Sequence, residues 1–114
     1  MNHRQKTAFG EYLVGEIKKA EMSQEEFYTA VGIKKPYFYD LLTATPPPTA
    51  LQDKIVAVLD EKTGTNDIRR KRLYDLAAEG RSEIPADIAK LIKDNPAKLD
   101  MIRKTLNELL AAQG

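Results

Sequence analysis

Apolar side chains in this chain recur three and four residues apart, in short runs, several of them cut off by glycine or proline. Phe9, Leu13, Ile17 and Ala20 form one stripe at spacings of four, four and three, the period of a single face of an α-helix. Phe27 with Val31, Phe38 with Leu41 and Leu42, Leu51 with Ile55, Val58 and Leu59, and Leu99 with Ile102, Leu106 and Leu109 repeat that period. No segment alternates apolar and polar residues as a half-buried strand does, and no block of sequence repeats. The spacing therefore predicts an all-α chain built from short helices.

Punctuation sets the expected boundaries. The first helix runs roughly over 7–20. Ser23 followed three residues later by Glu26 has the form of a capping box, and Gly32 suits the left-handed residue that closes a helix. Pro36 is tolerable only in a first turn, so a third helix begins near Lys34. "TATPPPT" at 43–49 breaks the chain before a fourth helix. Thr65 or Asn66 can cap a fifth, over about 67–79, which Gly80 is expected to close. Ile84, Ile88, Leu91 and Ile92 mark a sixth. Pro85 and Pro96 are expected at the first positions of the sixth and seventh helices, with Asn95 as the cap of the last. A main domain over 1–80 and a C-terminal helical extension over 81–114 follow from this division.

Composition narrows the chemistry. The 114 residues are 42% hydrophobic and 31% charged, values of a globular domain rather than a disordered chain. Cysteine is absent, which excludes disulfides and thiol chemistry. There is neither an apolar run of membrane-spanning length nor the apolar stretch of a signal peptide, so a cytoplasmic protein without membrane contact is expected. The single histidine, His3, falls in an expected leader, leaving no material for a Ser–His nucleophile or a metal-ligand cluster. No glycine-rich phosphate loop is present. No catalytic residue, metal or cofactor is expected. The net charge is +1, and residues 1–45 carry six Lys/Arg against six Asp/Glu. A nucleic-acid reading therefore rests on where the lysines sit, because local phosphate neutralisation drives such binding.

Residues 23–42 carry most of the information. Two short helices flank Gly32, with Phe27, Val31, Phe38 and Leu41 expected inward and Ile33 pinning the turn. This is helix–turn–helix spacing, which leaves the far face and N-terminal end of the second helix standing proud of the domain. A helix fits the major groove and reaches base edges with its N-terminal residues.

"MSQEEF", "VGIKK", Phe38 with Leu41, Pro48 and "LQDKIVAVLD" together resemble the Cro/C1-type (XRE) helix–turn–helix regulators of bacteria and phages. The resemblance covers residues 9–60, and "LYDLAAEGRSEIPADIAKLIKDNP" resembles the extension of small single-domain members. It implies a lambda-repressor-like bundle of five helices with a C-terminal helical extension, usually dimeric, binding double-stranded operator DNA to control transcription. Carried over by position, Gln24 corresponds to a backbone contact. Lys35, Pro36 and Asp40 correspond to base-facing positions, flanked by Lys34, Tyr37 and Tyr39. Thr43 and Thr45 fall where the following loop approaches phosphate. Three departures stand out. Tyr28 replaces a small alanine at the helix crossing and is expected to open the crossing or swing outward. Leu42 and Ala44 replace a glutamate and a glycine. Pro46, Pro47 and Pro48 replace a basic loop.

Each feature also has a plainer reading. Lys34 and Lys35 can be a solvated pair. Tyr37 and Tyr39 can cover neighbouring side chains, touch sugar–phosphate or a thymine methyl, or meet a protein partner. "RRKR" at 69–72 spreads around a helix and reads as a solvated face, with Asp67, Asp75 and Glu79 as counter-charges. Leu99, Ile102, Leu106 and Leu109 can pack on the chain's own fifth or sixth helix or form a homodimer seam. The alternative to a regulator is a protein-interaction module, antitoxin-like or phage-encoded, on the same scaffold.

Overall fold

The computed structural model describes residues 4–112, and the expectation about His3 lies outside them. Seven α-helices and one 3-10 turn (Pro96–Lys98) occur among the described residues, with no strand. They are α1 (Ala8–Lys19), α2 (Gln24–Val31), α3 (Lys35–Thr43), α4 (Thr49–Thr63), α5 (Asp67–Arg81), α6 (Ala86–Lys93) and α7 (Leu99–Ala111). None is long and apolar enough to cross a membrane.

The caps explain why the helices start where they do. Thr7 caps α1 by accepting the Gly10 N–H at 3.0 Å. Ser23 accepts from the Glu26 N–H, and the Glu26 carboxylate takes the Ser23 N–H at 2.9 Å, so two unpaired donors are satisfied reciprocally. These bonds hold the Glu26 carboxyl below its usual range. Gly32 closes α2 at φ 93°. Lys34 is the N-cap residue of α3, with Pro36 in the first turn. Asn66 rather than Thr65 caps α5 through the Arg69 N–H.

Three boundaries differ from the sequence expectation. Gly80 does not end α5. The helix continues to Arg81, and Ser82 takes the left-handed closing position at φ 55°. Gly80 is instead where Pro46 packs, since a Cβ there would lie 2.6 Å from the proline ring. Asn95 caps no helix with its side chain. It donates backwards to the Leu91 carbonyl at 2.7 Å, finishing α6. Pro96 opens the 3-10 turn, and Pro85 is the N-cap residue of α6, not its first helical residue.

The core lies among the first five helices, with Ala86 of α6 joining it. α1 packs on α5 and α3, α2 on α4, and α4 on α5. Phe9, Leu13, Ile17, Phe27, Val31, Phe38, Leu42, Ile55, Leu59 and Leu73 are all buried there. The stripes of α1, α2 and α3 therefore face inward as their spacing requires, and burial of each large apolar side chain contributes about 1.5–3 kcal/mol. Pro46 and Pro47 join this core rather than forming an open loop. The Pro47 carbonyl accepts from Gln52, and the Pro46 carbonyl from Arg81.

Arg69 overturns the reading of "RRKR" as a solvated face. Its guanidinium is buried at the α4–α5 corner, donating to Asp60, the Thr63 hydroxyl and the Gly64 carbonyl. Lys71 and Arg72 are exposed, and Arg70 reaches Asp67 and Asp87. No residue of α7 is buried. The molecule measures 50 × 31 × 21 Å with a radius of gyration of 16.4 Å, above the about 13 Å of a compact domain this long.

Candidate nucleic-acid interface

Helix α3 is held from beneath and bare on top. Phe38, Leu41 and Leu42 are buried, and the Phe38 ring lies 6.0 Å from Phe27 and 5.4 Å from Tyr28 between centroids. Tyr28 is half-buried, its ring laid over Phe38. The two helices thus accept a tyrosine at their crossing by making it part of the packing. Ile33 is partly buried against the same cluster and fixes the turn.

At 100° per residue, Pro36, Tyr39, Asp40 and Thr43 share the face opposite those anchors, and Lys35 stands at its edge on the Leu42 side. Lys35, Pro36, Tyr39 and Asp40 are exposed. Tyr37 is 43% and Tyr39 38% exposed, but they lie about 160° apart around the helix, so Tyr39 belongs to that face and Tyr37 stands beyond its far edge. Lys34 is exposed at the N-terminal end, where no side chain caps α3.

The remaining candidates divide. Gln24 is exposed as the first residue of α2, but Glu25 and Glu26 in the same turn make that end acidic. The Thr43 hydroxyl is committed to its own helix, donating to the Tyr39 carbonyl at 2.8 Å. Thr45 is exposed in the following loop. Ala44 stands at φ −125°, a conformation that needs no glycine, and Leu42 is core. Of the C-terminal stripe, Leu99 and Ile102 are half-buried, while Leu106 and Leu109 are exposed. An open groove of about 990 Å³ between α4, α5 and α6 is lined by Asp53, Arg70, Tyr74, Ile84 and Leu91 among others and contains none of the α3 residues.

Sequence reasoning missed Arg4. Its guanidinium lies 2.6 Å from the Asp40 carboxylate and 5.0 Å above the centre of the Tyr39 ring. One arginine from the segment before α1 therefore sits on the outward face of α3. No local pattern in the sequence places it there, since Asp40 lies 36 residues away along the chain.

A scan against protein-family models and searches of curated proteins and of solved structures return no match.

Proposed function

We propose that the chain is a sequence-specific DNA-binding transcriptional regulator of lambda-repressor-like arrangement, with α3 entering the major groove. The observation that supports this best is the division of α3. Phe38, Leu41 and Leu42 anchor it, while Pro36, Tyr39 and Asp40 project together, with Lys35 exposed at their edge, from a helix joined to α2 by the tight Gly32 turn. Lys34 and Lys35 supply the positive end, for phosphate or for guanine O6 and N7. Tyr37 and Tyr39 suit the groove walls. Such a regulator works in the cytoplasm, with 1–80 as the DNA-binding part and 81–114 as the extension.

Dimerisation belongs to the same proposal, with a surface shifted from the one the spacing suggests. Leu106, Leu109 and Leu110 on α7, with Ile84, Ile88 and Leu91 at α6, are all exposed. Exposed leucines and isoleucines of this kind suit a homodimer seam, which in a standard interface buries ~800 Å² per partner. Leu99 and Ile102, on the same stripe of α7, are half-buried. A second copy is the occupant proposed for this surface.

The second reading, a protein-interaction module, is favoured by the two exposed tyrosines on a face of low net charge. Salt separates the two. Affinity for duplex DNA is expected to fall steeply between about 50 and 200 mM salt, and to drop roughly tenfold or more when Lys34 and Lys35 are both replaced by alanine. A partner whose binding ignores salt and is lost on Tyr37→Ala or Tyr39→Ala supports the module instead.

A further inference from the structure

We infer that Arg4 is a phosphate-contacting residue of the DNA face, and that Asp40 positions Arg4 rather than reading a base. This rests on the reading of α3 as the helix that meets DNA. The segment before α1 is not placed by Arg4 alone. The Thr7 N–H donates to the Leu42 carbonyl at 2.9 Å, and the Thr7 hydroxyl reaches the same oxygen at 3.3 Å. Gly10 brings the α1 backbone so near that a Cβ would lie 2.1 Å from that carbonyl. The start of α1 is thereby joined to the last turn of α3, and the chain preceding Thr7 lies beside the outward face of α3.

On that face, Asp40 alone would repel phosphate. Arg4 answers it with one nitrogen, Nη2, at 2.6 Å from Oδ1. The side chains of Arg4 and Asp40 remain 47% and 55% exposed. An ion pair so open contributes little to folding, so the contact is not explained as a brace for α3. Its effect is electrostatic and directional. The carboxylate is neutralised, and the guanidinium plane is steadied over Tyr39, an arrangement a lysine ammonium does not reproduce. A guanidinium has five N–H donors in a rigid fork. With one nitrogen on Asp40, the other donors remain for the paired oxygens of a phosphate. Paired with Asp40, Arg4 cancels the carboxylate that would offset Lys34 and Lys35, and what it adds beside them is a set of directed donors rather than net charge.

The test uses the full chain and a duplex selected by it from a random pool. Arg4→Ala, Arg4→Lys, Asp40→Asn and the Arg4→Ala/Asp40→Asn pair are compared by fluorescence anisotropy across a salt series. Arg4→Ala is expected to keep the melting temperature, weaken binding about fivefold or more, and lower the slope of log affinity against log salt by about 0.9, the loss of one phosphate contact. A smaller but measurable loss is expected when Arg4→Ala is made in the Asp40→Asn background, because the guanidinium has lost its anchor, and an equal loss in both backgrounds would show that Asp40 does not position Arg4. Arg4→Lys recovers the slope but not the full affinity. Asp40→Asn leaves base preference unchanged at every position. If Arg4→Ala binds as the parent does, or costs nothing once Asp40 is neutral, the phosphate contact is wrong. If Asp40→Asn changes preference at one base pair, Asp40 reads a base and the positioning role is wrong. If the parent binds no duplex at low salt, the α3 reading itself fails, and this inference with it.

Discussion

A methyl group at position 80 would lie 2.6 Å from Cγ of Pro46, a ring that has no rotamer to escape into. Inside a helix, Gly→Ala normally stabilises by about 1 kcal/mol. Here Gly80→Ala is expected to destabilise by about 1–3 kcal/mol, the cost of overpacking, read from the urea midpoint. In a Pro46→Ala background the same change should turn stabilising. The sequence marks Gly80 only as a helix breaker, because a glycine that admits a neighbour and a glycine that reverses the chain are the same letter. Arg69 fails to be legible for a similar reason. Four basic residues in a row look alike, and only the one facing the Asp60, Thr63 and Gly64 oxygens is drawn inside. Arg4 was invisible because its partners, Tyr39 and Asp40, are more than thirty residues away in sequence.

Among elements, the ones written locally are the ones that read well. The α2–turn–α3 unit is specified by Ser23, Glu26, Gly32 and Pro36, each acting within four residues, and all four do what the local chemistry dictates. The α4–α5 pairing depends on distant groups. The buried Tyr74 donates to Asp53 at 2.6 Å, and desolvation, followed by that bond and the Asp53 charge, pushes the phenol above its ordinary value near 10. A group with a raised folded pKa contributes stability below its unfolded pKa and loses it as pH rises towards the folded value. Tyr74 should therefore make the protein lose stability above about pH 10. Tyr74→Phe is expected to cost about 1–2 kcal/mol at neutral pH through the lost hydrogen bond. It should also flatten the alkaline fall, measured as the difference between the two proteins' melting curves from pH 8 to 11. An alkaline fall of equal steepness in both would show that the pairing does not depend on this proton.

At the scale of the whole molecule, the first five helices close over a shared core, while α7 buries no side chain. The amphipathic spacing of α6 and α7 is plain in the sequence. What lies against it is not, because an apolar stripe has the same pattern whether its cover is the chain itself or a second copy. Leu106→Asp with Leu109→Asp alters side chains already exposed in the monomer. Sedimentation equilibrium is expected to show a dimer for the parent and a folded monomer for this variant, and a monomeric parent would remove the seam. Dimer symmetry and α3 meet in one measurement, selection of duplexes from a random DNA pool at low and at moderate salt. The proposed function predicts enrichment of an inverted repeat with half-site centres about 10–10.5 base pairs, or a multiple, apart, with binding weakened at the higher salt. Recovery of no enriched sequence at either salt would contradict it.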